Sequence, residues 1–209
     1  MVITDVKKQK NNSSRYNIFI DSVFCFSASK EDLIKYSLIE DSEVGDEELK
    51  NIIKKCEEAS AYDYALVLLG IRDYSLRDMR SKLKQRYYSE QTISSVLSKL
   101  QSYEFINDER YAKKYVDYSL NIKKIGKIKI MHDLHNKGVK LANIDSIEID
   151  EEKQFENAYN QALKKMSSIK NTLKPAEKVI RYLLYKGYEF NLIKKVIERL
   201  FKNEENDCI

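Results

Sequence analysis

Between residues 46 and 202 the apolar positions of this chain recur at helical spacing. Ile93, Val96, Leu97 and Leu100 lie at i, i+3, i+4 and i+7, one stripe of an amphipathic helix opened by Ser89. Ser75 and Asp78 form a second helix-opening pair, ahead of a helix over 76–86 with Met79 and Leu83 inward. A long helix is expected from Asp46, because Asp46, Glu47 and Glu48 suit the positive end of a helix dipole. It runs into residues 64–69, apolar nearly all round, which predicts a buried central helix. The first 27 residues follow another rule. Residues 2–4, 16–20 and 23–26 are β-prone, and Asp21-Ser22 leaves room only for a short turn. A small N-terminal sheet containing a hairpin is predicted there. Ser29 then caps a short helix over 30–37, with Asp32 at the capping-box spacing. Residues 41–45 read as a loop.

The apolar pattern also repeats on a longer period. Met79, Leu83, Tyr88, Ile93 and Val96 return as Ile130, Leu134, Val139, Ile144 and Ile147, then as Val179, Leu183, Tyr188, Ile193 and Val196, at offsets of 51 and 49 residues. The same register aligns Arg86 with Lys137 and Lys186. It aligns Tyr87 with Gly138 and Gly187, where glycine suits a left-handed helix end. The helix openers Ser75, Gly126 and Pro175 also coincide, and proline is favoured in a first turn. A period near 50 marks supersecondary units stacked on their neighbours. The predicted fold is therefore all-α: three tandem three-helix repeats in an elongated, curved array with a small N-terminal β-hairpin extension. The expected divisions are 1–45 for the hairpin and short helix, then 46–104, 105–150 and 151–209 for the repeats. The third helix of the middle repeat is expected to be poor, because Ile147-Glu148-Ile149-Asp150 breaks the pattern.

Composition narrows the function. Only 5 Gly and 1 Pro among 209 residues argue against glycine-rich phosphate loops, dinucleotide-binding crossovers and turn-rich β folds. The longest apolar runs fall far short of the roughly 20 residues of a membrane span, and residues 1–12 lack the apolar segment of a secretory signal. Cys25, Cys56 and Cys208 form neither a disulfide framework nor a zinc pair, and free thiols suit a reducing cytoplasm. The net charge of +4 is uneven, with −3 over 1–60, +7 over 61–140 and zero over 141–209. It is densest over 113–140, where 8 Lys face 2 Asp. Such a local field draws polyanions or an acidic protein face; the plainer reading is a solvated, lysine-rich helix surface. The binding candidates are Lys113, Lys114, Lys123, Lys124, Lys127 and Lys129, with Arg80, Lys84 and Arg86 from the preceding repeat. Helical geometry cannot place all nine on one face. Lys123, Lys124, Lys127 and Lys129 lie near a helix junction, where a flexible chain can follow a curved partner.

Catalytic chemistry is scarce. His132 and His135 stand at i, i+3 beside Asp133, but no third metal ligand has a recognisable spacing, so surface histidines and no metal or cofactor are expected. Asp108 and Glu109 are adjacent, and adjacent helix positions point about 100° apart, unlike a facing acid–base pair. They fit the acidic first turn of a helix capped by Asn107, with Arg110 pairing to a neighbouring repeat. Tyr111, Tyr115 and Tyr118 form one helical stripe, read as core or inter-repeat packing, with stacking on nucleic-acid bases as the functional alternative. Nothing in the sequence requires an active site.

A family resemblance rests on four stretches. They are residues 64–69, YALVLL; 75–83, SLRDMRSKL; 105–112, FINDERYA; and 126–139, GKIKIMHDLHNKGV. These, with 88–100 and 177–200, resemble the RecX family of bacterial recombination regulators. The third looks like that family's L-D-D-E-R-F-A signature, and the fourth its G-x3-I-x3-L-x2-K-G-I element. Asn107 stands for an acid, and Arg86-Tyr87 for the common basic residue and glycine. The resemblance implies tandem three-helix repeats without enzymatic activity. It implies binding to the RecA recombinase and its filament on single-stranded DNA, with inhibition of filament growth, ATP hydrolysis and strand exchange. Several members also bind DNA, so single- or double-stranded DNA is a further expected partner. The expected protein is a cytoplasmic monomer without membrane contact. The rival readings are a general DNA-binding protein of three-helix units and, more distantly, a metal-dependent nuclease using Asp108, Glu109 and His132.

Overall fold

The computed structural model describes residues 1–10, 12–140, 147–169 and 174–206, the side chains of 202–206 excepted. Three β-prone runs become an antiparallel sheet of order β1-β2-β3, comprising β1 (Ile3–Lys8), β2 (Arg15–Ile20) and β3 (Val23–Ser29). Asp21 and Ser22 turn β2 into β3 with φ of 47° and 69°. Two positive φ values in a two-residue loop give a turn whose twist matches the flanking strands. Ser29 caps α1 (Lys30–Lys35) through the expected reciprocal box: its hydroxyl accepts from the Asp32 N–H at 3.0 Å, and Asp32 accepts from the Ser29 N–H at 3.1 Å. The helix stops short of the expected residue 37, where Ser37 takes φ 49°.

Ile18, Ile20, Phe26 and Ala28 face the first half of α2 (Asp46–Ile71), packing with Leu38, Val44, Leu49, Ile52 and Cys56. Burial, helped by the nearby Asp32 carboxylate, pushes the Cys56 thiol up to about 12, so it behaves as a core hydrophobe. The second half of α2 corrects the expectation of a helix buried all round. Ala61 and Ala65 are buried, but Val67 is 64% and Ile71 76% exposed. In a three-helix unit the partners cover one side of a helix, chiefly α4 (Glu90–Ser102) here, and the far side stays open.

The chain divides into two compact units: Met1–Tyr74 with Asp78–Ile106, and Ser75–Arg77 with Asn107–Ile209. The first holds the sheet, α1, α2, α4 and most of α3 (Leu76–Lys84). The second holds the first turn of α3, then α5 (Asp108–Tyr118), a π-helical turn (Ser119–Lys123), α6 (Lys127–Asn136), α7 (Glu151–Ser168), α8 (Pro175–Tyr185) and α9 (Phe190–Asn206). Leu83, Leu134 and Leu183 are each 0% exposed, and so are Met79, Ile130 and Val179 above them. Ile93 and Ile193, Val96 and Val196, Val139 and Tyr188 are buried in the same register. Ile144 lies outside the described residues; Ile147, in register with Val96 and Val196, is half-buried against the middle core, and residues 147–150, where the pattern is expected to break, form no helix.

The register extends to the backbone. Tyr87, Gly138 and Gly187 share a left-handed conformation, with φ of 62°, 76° and 83°. Glycine adopts it freely; tyrosine is strained there by roughly 1–2 kcal/mol. The Tyr87 side chain is 94% exposed, so packing offsets little of that strain. Tyr87→Gly is therefore expected to raise stability by about 0.5–1 kcal/mol in urea unfolding, after the extra unfolded-state entropy of glycine. Leu134→Ala is expected to lower it by about 2–5 kcal/mol, the usual cost of a truncated core leucine.

Candidate functional site

The candidate cations do not form one free surface. In the first unit Arg80 and Lys84 both reach Glu90, at 3.0 and 3.1 Å, and Arg86 lays its guanidinium 4.7 Å from the centre of the Tyr64 ring. The hydrogen bond and charge of Lys84, with Arg80 behind it, hold the Glu90 carboxyl below its ordinary range. In the second unit Lys113 pairs with Glu109 at 2.7 Å, one helical turn away, and Lys127 lies 3.7 Å from Glu189. Lys114 is exposed on α5.

The tyrosine stripe meets this cationic set. Tyr111 and Tyr115 stack at 6.4 Å and 17°, half-buried against the core of Ala112, Val116 and Leu134. Lys123 sits 4.6 Å over Tyr115 and 5.5 Å over Tyr118, and donates to the Tyr115 hydroxyl at 2.9 Å. That hydroxyl donates to Asp133 at 2.6 Å. Burial, then the Asp133 carboxylate, pushes the phenol pKa upward, so it stays a donor at neutral pH. Lys137 lies 5.9 Å from both stacked rings. The stripe is thus packing on one side and a lysine-bearing edge on the other. Lys137 joins the candidates here; in the sequence it stands out only through the basic stretch 113–140 and the repeat register.

The junction that carries Lys123, Lys124, Lys127 and Lys129 is a pinned turn. Lys124 takes φ 51°, and its carbonyl accepts from the buried Tyr188 hydroxyl at 2.8 Å. Asn157 donates to the Leu120 carbonyl at 2.8 Å and Gln154 to the Ile125 carbonyl at 3.3 Å. The π-helical turn and the left-handed residue after it free carbonyls that a regular helix would satisfy, and α7 and Tyr188 take them up.

One arrangement occurs twice in the second unit. The opener of α3, Ser75, donates its hydroxyl to the Lys137 carbonyl at 2.8 Å. The opener of α6, Gly126, donates its N–H to the Lys186 carbonyl at 2.9 Å. Lys137 and Lys186 each precede the left-handed glycine of the next repeat. The first N–H of α3, from Leu76, donates to Asp108 at 2.9 Å, and the first N–H of α6, from Lys127, donates to Gln154 at 3.2 Å. A Cβ on Gly126 would run into the backbone of Gly187, and one on Gly138 into the Arg77 side chain. Asp108 and Gln154 both lie four residues before the first small core residue of their helix, Ala112 and Ala158. Glu57 holds that place before Ala61 and caps α4, accepting from the Ser89 N–H, the Ser89 hydroxyl and the Thr92 hydroxyl at 3.0, 2.9 and 2.6 Å. Burial pushes Glu57 up, but the bonds from Thr92 and Ser89 outweigh it and leave the carboxyl below its ordinary range.

The acids of the signature stretch are engaged in the fold. Asn107 caps α5, accepting from the Arg110 N–H at 2.9 Å, Asp108 receives α3, and Glu109 pairs with Lys113. Arg110 is exposed. His132 and His135 are exposed on α6, and among the described residues no three His, Cys, Asp or Glu side chains converge as metal ligands. No described helix is long and apolar enough to cross a membrane.

Comparison with known proteins is consistent along the chain. Residues 1–45 match the family described as "Regulatory protein RecX N-terminal domain", and residues 61–100, 107–146 and 151–197 match the first, second and third three-helix domains of RecX. The chain is 33% identical to "Regulatory protein RecX" of Clostridioides difficile over 99% of both chains, and 34% identical to that of Clostridium perfringens over 97% of both. A solved structure, "Crystal structure of regulatory protein RecX", superposes with a TM-score of 0.71 at 27% identity, covering 94% of this chain and 98% of that one.

Two outcomes test the capping roles. Asp108→Ala is expected to lower stability by about 1–2 kcal/mol in denaturant melts, as for a lost helix cap, while Asp108→Asn keeps an acceptor and loses less. The Glu57 contribution is complete above the ordinary carboxylate range and is lost as pH falls through its depressed folded value. Glu57→Gln is therefore expected to lower the melting temperature at neutral pH and to flatten its decline toward acid.

Proposed function

The chain belongs to the RecX family of regulatory proteins, and on that premise we propose that it is a non-enzymatic regulator of the RecA recombinase. It binds RecA and its filament on single-stranded DNA, and restrains filament growth, ATP hydrolysis and strand exchange. The observation that carries the reading is the match to all four RecX domains in chain order. The chemistry agrees with it. The acids that a nuclease would need are occupied in helix caps and an ion pair, whereas the middle repeat presents lysines along a tyrosine edge. Lys113, Lys114, Lys123 and Lys124 are the residues proposed to meet the partner, Lys127 and Lys129 flank them next to a joint, and Arg80, Lys84 and Arg86 form a second contact. A monomer acting in the cytoplasm, without cofactor, completes the proposal.

The test measures RecA ATPase on single-stranded DNA with increasing amounts of this protein. Inhibition is expected from the wild type. A Lys113→Gln, Lys114→Gln, Lys123→Gln, Lys124→Gln variant with an unchanged melt is expected to need at least about tenfold more protein, since charged contacts steer and hold such partners. Unchanged inhibition by that variant removes this surface from the account. If free duplex DNA abolishes inhibition in proportion to its binding, the protein acts as a general DNA-binding protein instead.

A further inference from the structure

The third repeat carries a cationic cluster of a different kind. Lys165, Lys178, Arg181, Tyr182 and Tyr185 line a shallow depression of about 360 Å³ on α7 and α8. Lys165 and Lys186 lie 5.6 and 5.7 Å from the centre of the Tyr182 ring, and Lys129 lies 4.8 Å from that of Tyr185. The Tyr182 hydroxyl donates to Gln161 at 2.6 Å, which fixes its ring. Tyr185 is 75% exposed. Among the described residues none of these five cations has a carboxylate within 4 Å. Among the described residues Arg181 has only a long 3.5 Å bond to the Glu177 carbonyl. Lys113, Lys127, Arg80 and Lys84, by contrast, each face a glutamate. Like charges brought together with no carboxylate within 4 Å repel one another, and an anion relieves that repulsion.

We propose that this depression is a binding site for single-stranded nucleic acid, with phosphates on Lys165, Lys178 and Arg181 and an unstacked base against Tyr185. Openness argues for a polymer. A free nucleotide needs a cleft that buries most of its surface, whereas a strand binds an open groove through several weak contacts in series. The exposed ring argues for a single strand, because only a base already out of a duplex can stack on it. The assignment rests on the third repeat and stands whether or not RecA is the partner of the middle one.

The test is fluorescence anisotropy of labelled oligo-dT and of a duplex of equal length, over a series of salt concentrations, with the full chain. Combined Lys165→Gln, Lys178→Gln and Arg181→Gln changes are expected to weaken oligo-dT binding at least about tenfold. They are also expected to cut the slope of log affinity against log salt by about 2, near 0.7 for each lost phosphate contact. Tyr185→Ala is expected to weaken oligo-dT binding about tenfold and leave the duplex unchanged, while Tyr185→Phe retains binding. Circular dichroism melts check the fold. If the triple variant melts early, exposed Lys178→Gln alone should still lower the slope by about 0.7. The proposal is overturned if the wild type does not bind oligo-dT, or if folded variants keep both affinity and slope. It is equally overturned if Tyr185→Ala weakens duplex and single strand alike, or if polyglutamate competes as well as oligo-dT, which marks an acidic protein partner.

Discussion

The fold depends on how the start of one helix is satisfied by the following repeat. A helix N-terminus has N–H groups with no partner inside the helix, and burying them unpaired is costly. In the second unit the first N–H of α3 finds Asp108 and that of α6 finds Gln154. The residue before each helix bonds the carbonyl that precedes a left-handed glycine. At α6 backbone approaches backbone, which is why Gly126 and Gly187 carry no side chain there, while at α3 the bare Gly138 leaves room for the Arg77 side chain. The last helix of this kind, α8, begins with Pro175, which has no N–H to satisfy.

This division of labour separates fold from binding. Residues 105–112 bear the family likeness, yet the acids in them cap a helix and neutralise a neighbouring lysine. The proposed partner contacts lie on side chains that the joints do not use: the lysines on the tyrosine edge of α5, and the cations around Tyr182 and Tyr185, which face no carboxylate within 4 Å among the described residues. Lys124 and Lys129 straddle the division. The Lys124 carbonyl accepts from Tyr188, and Lys129 packs on Gly187 while its ammonium group lies over the Tyr185 ring.

What could be read in the sequence was local or periodic. Ser29, Ser89 and Asn107 cap within three residues, and the Leu83, Leu134 and Leu183 register is a simple spacing. The helical stripe of Tyr111, Tyr115 and Tyr118 was legible too, though not the lysines over its edge. Contacts that depend on the fold were not. Asp108 meets Leu76 across 32 residues, and Tyr188 meets Lys124 across 64. The basic cluster of the third repeat draws on positions 129, 165, 178, 181 and 186, so no charge window along the chain reveals it. Residues 64–69 misled because hydrophobicity reports what a helix could bury, not how many neighbours a three-helix unit supplies.

The central claim is that side chains of the following repeat hold the starts of α3 and α6. Amide hydrogen exchange at Leu76 and Lys127 tests it most directly, because neither N–H has an acceptor in its own helix. The account predicts protection of both amides well above that of ordinary first-turn amides, with Leu76 losing it on Asp108→Ala and Lys127 losing it on Gln154→Ala. Exchange of either amide at the rate of an open helix start in the wild type would contradict it.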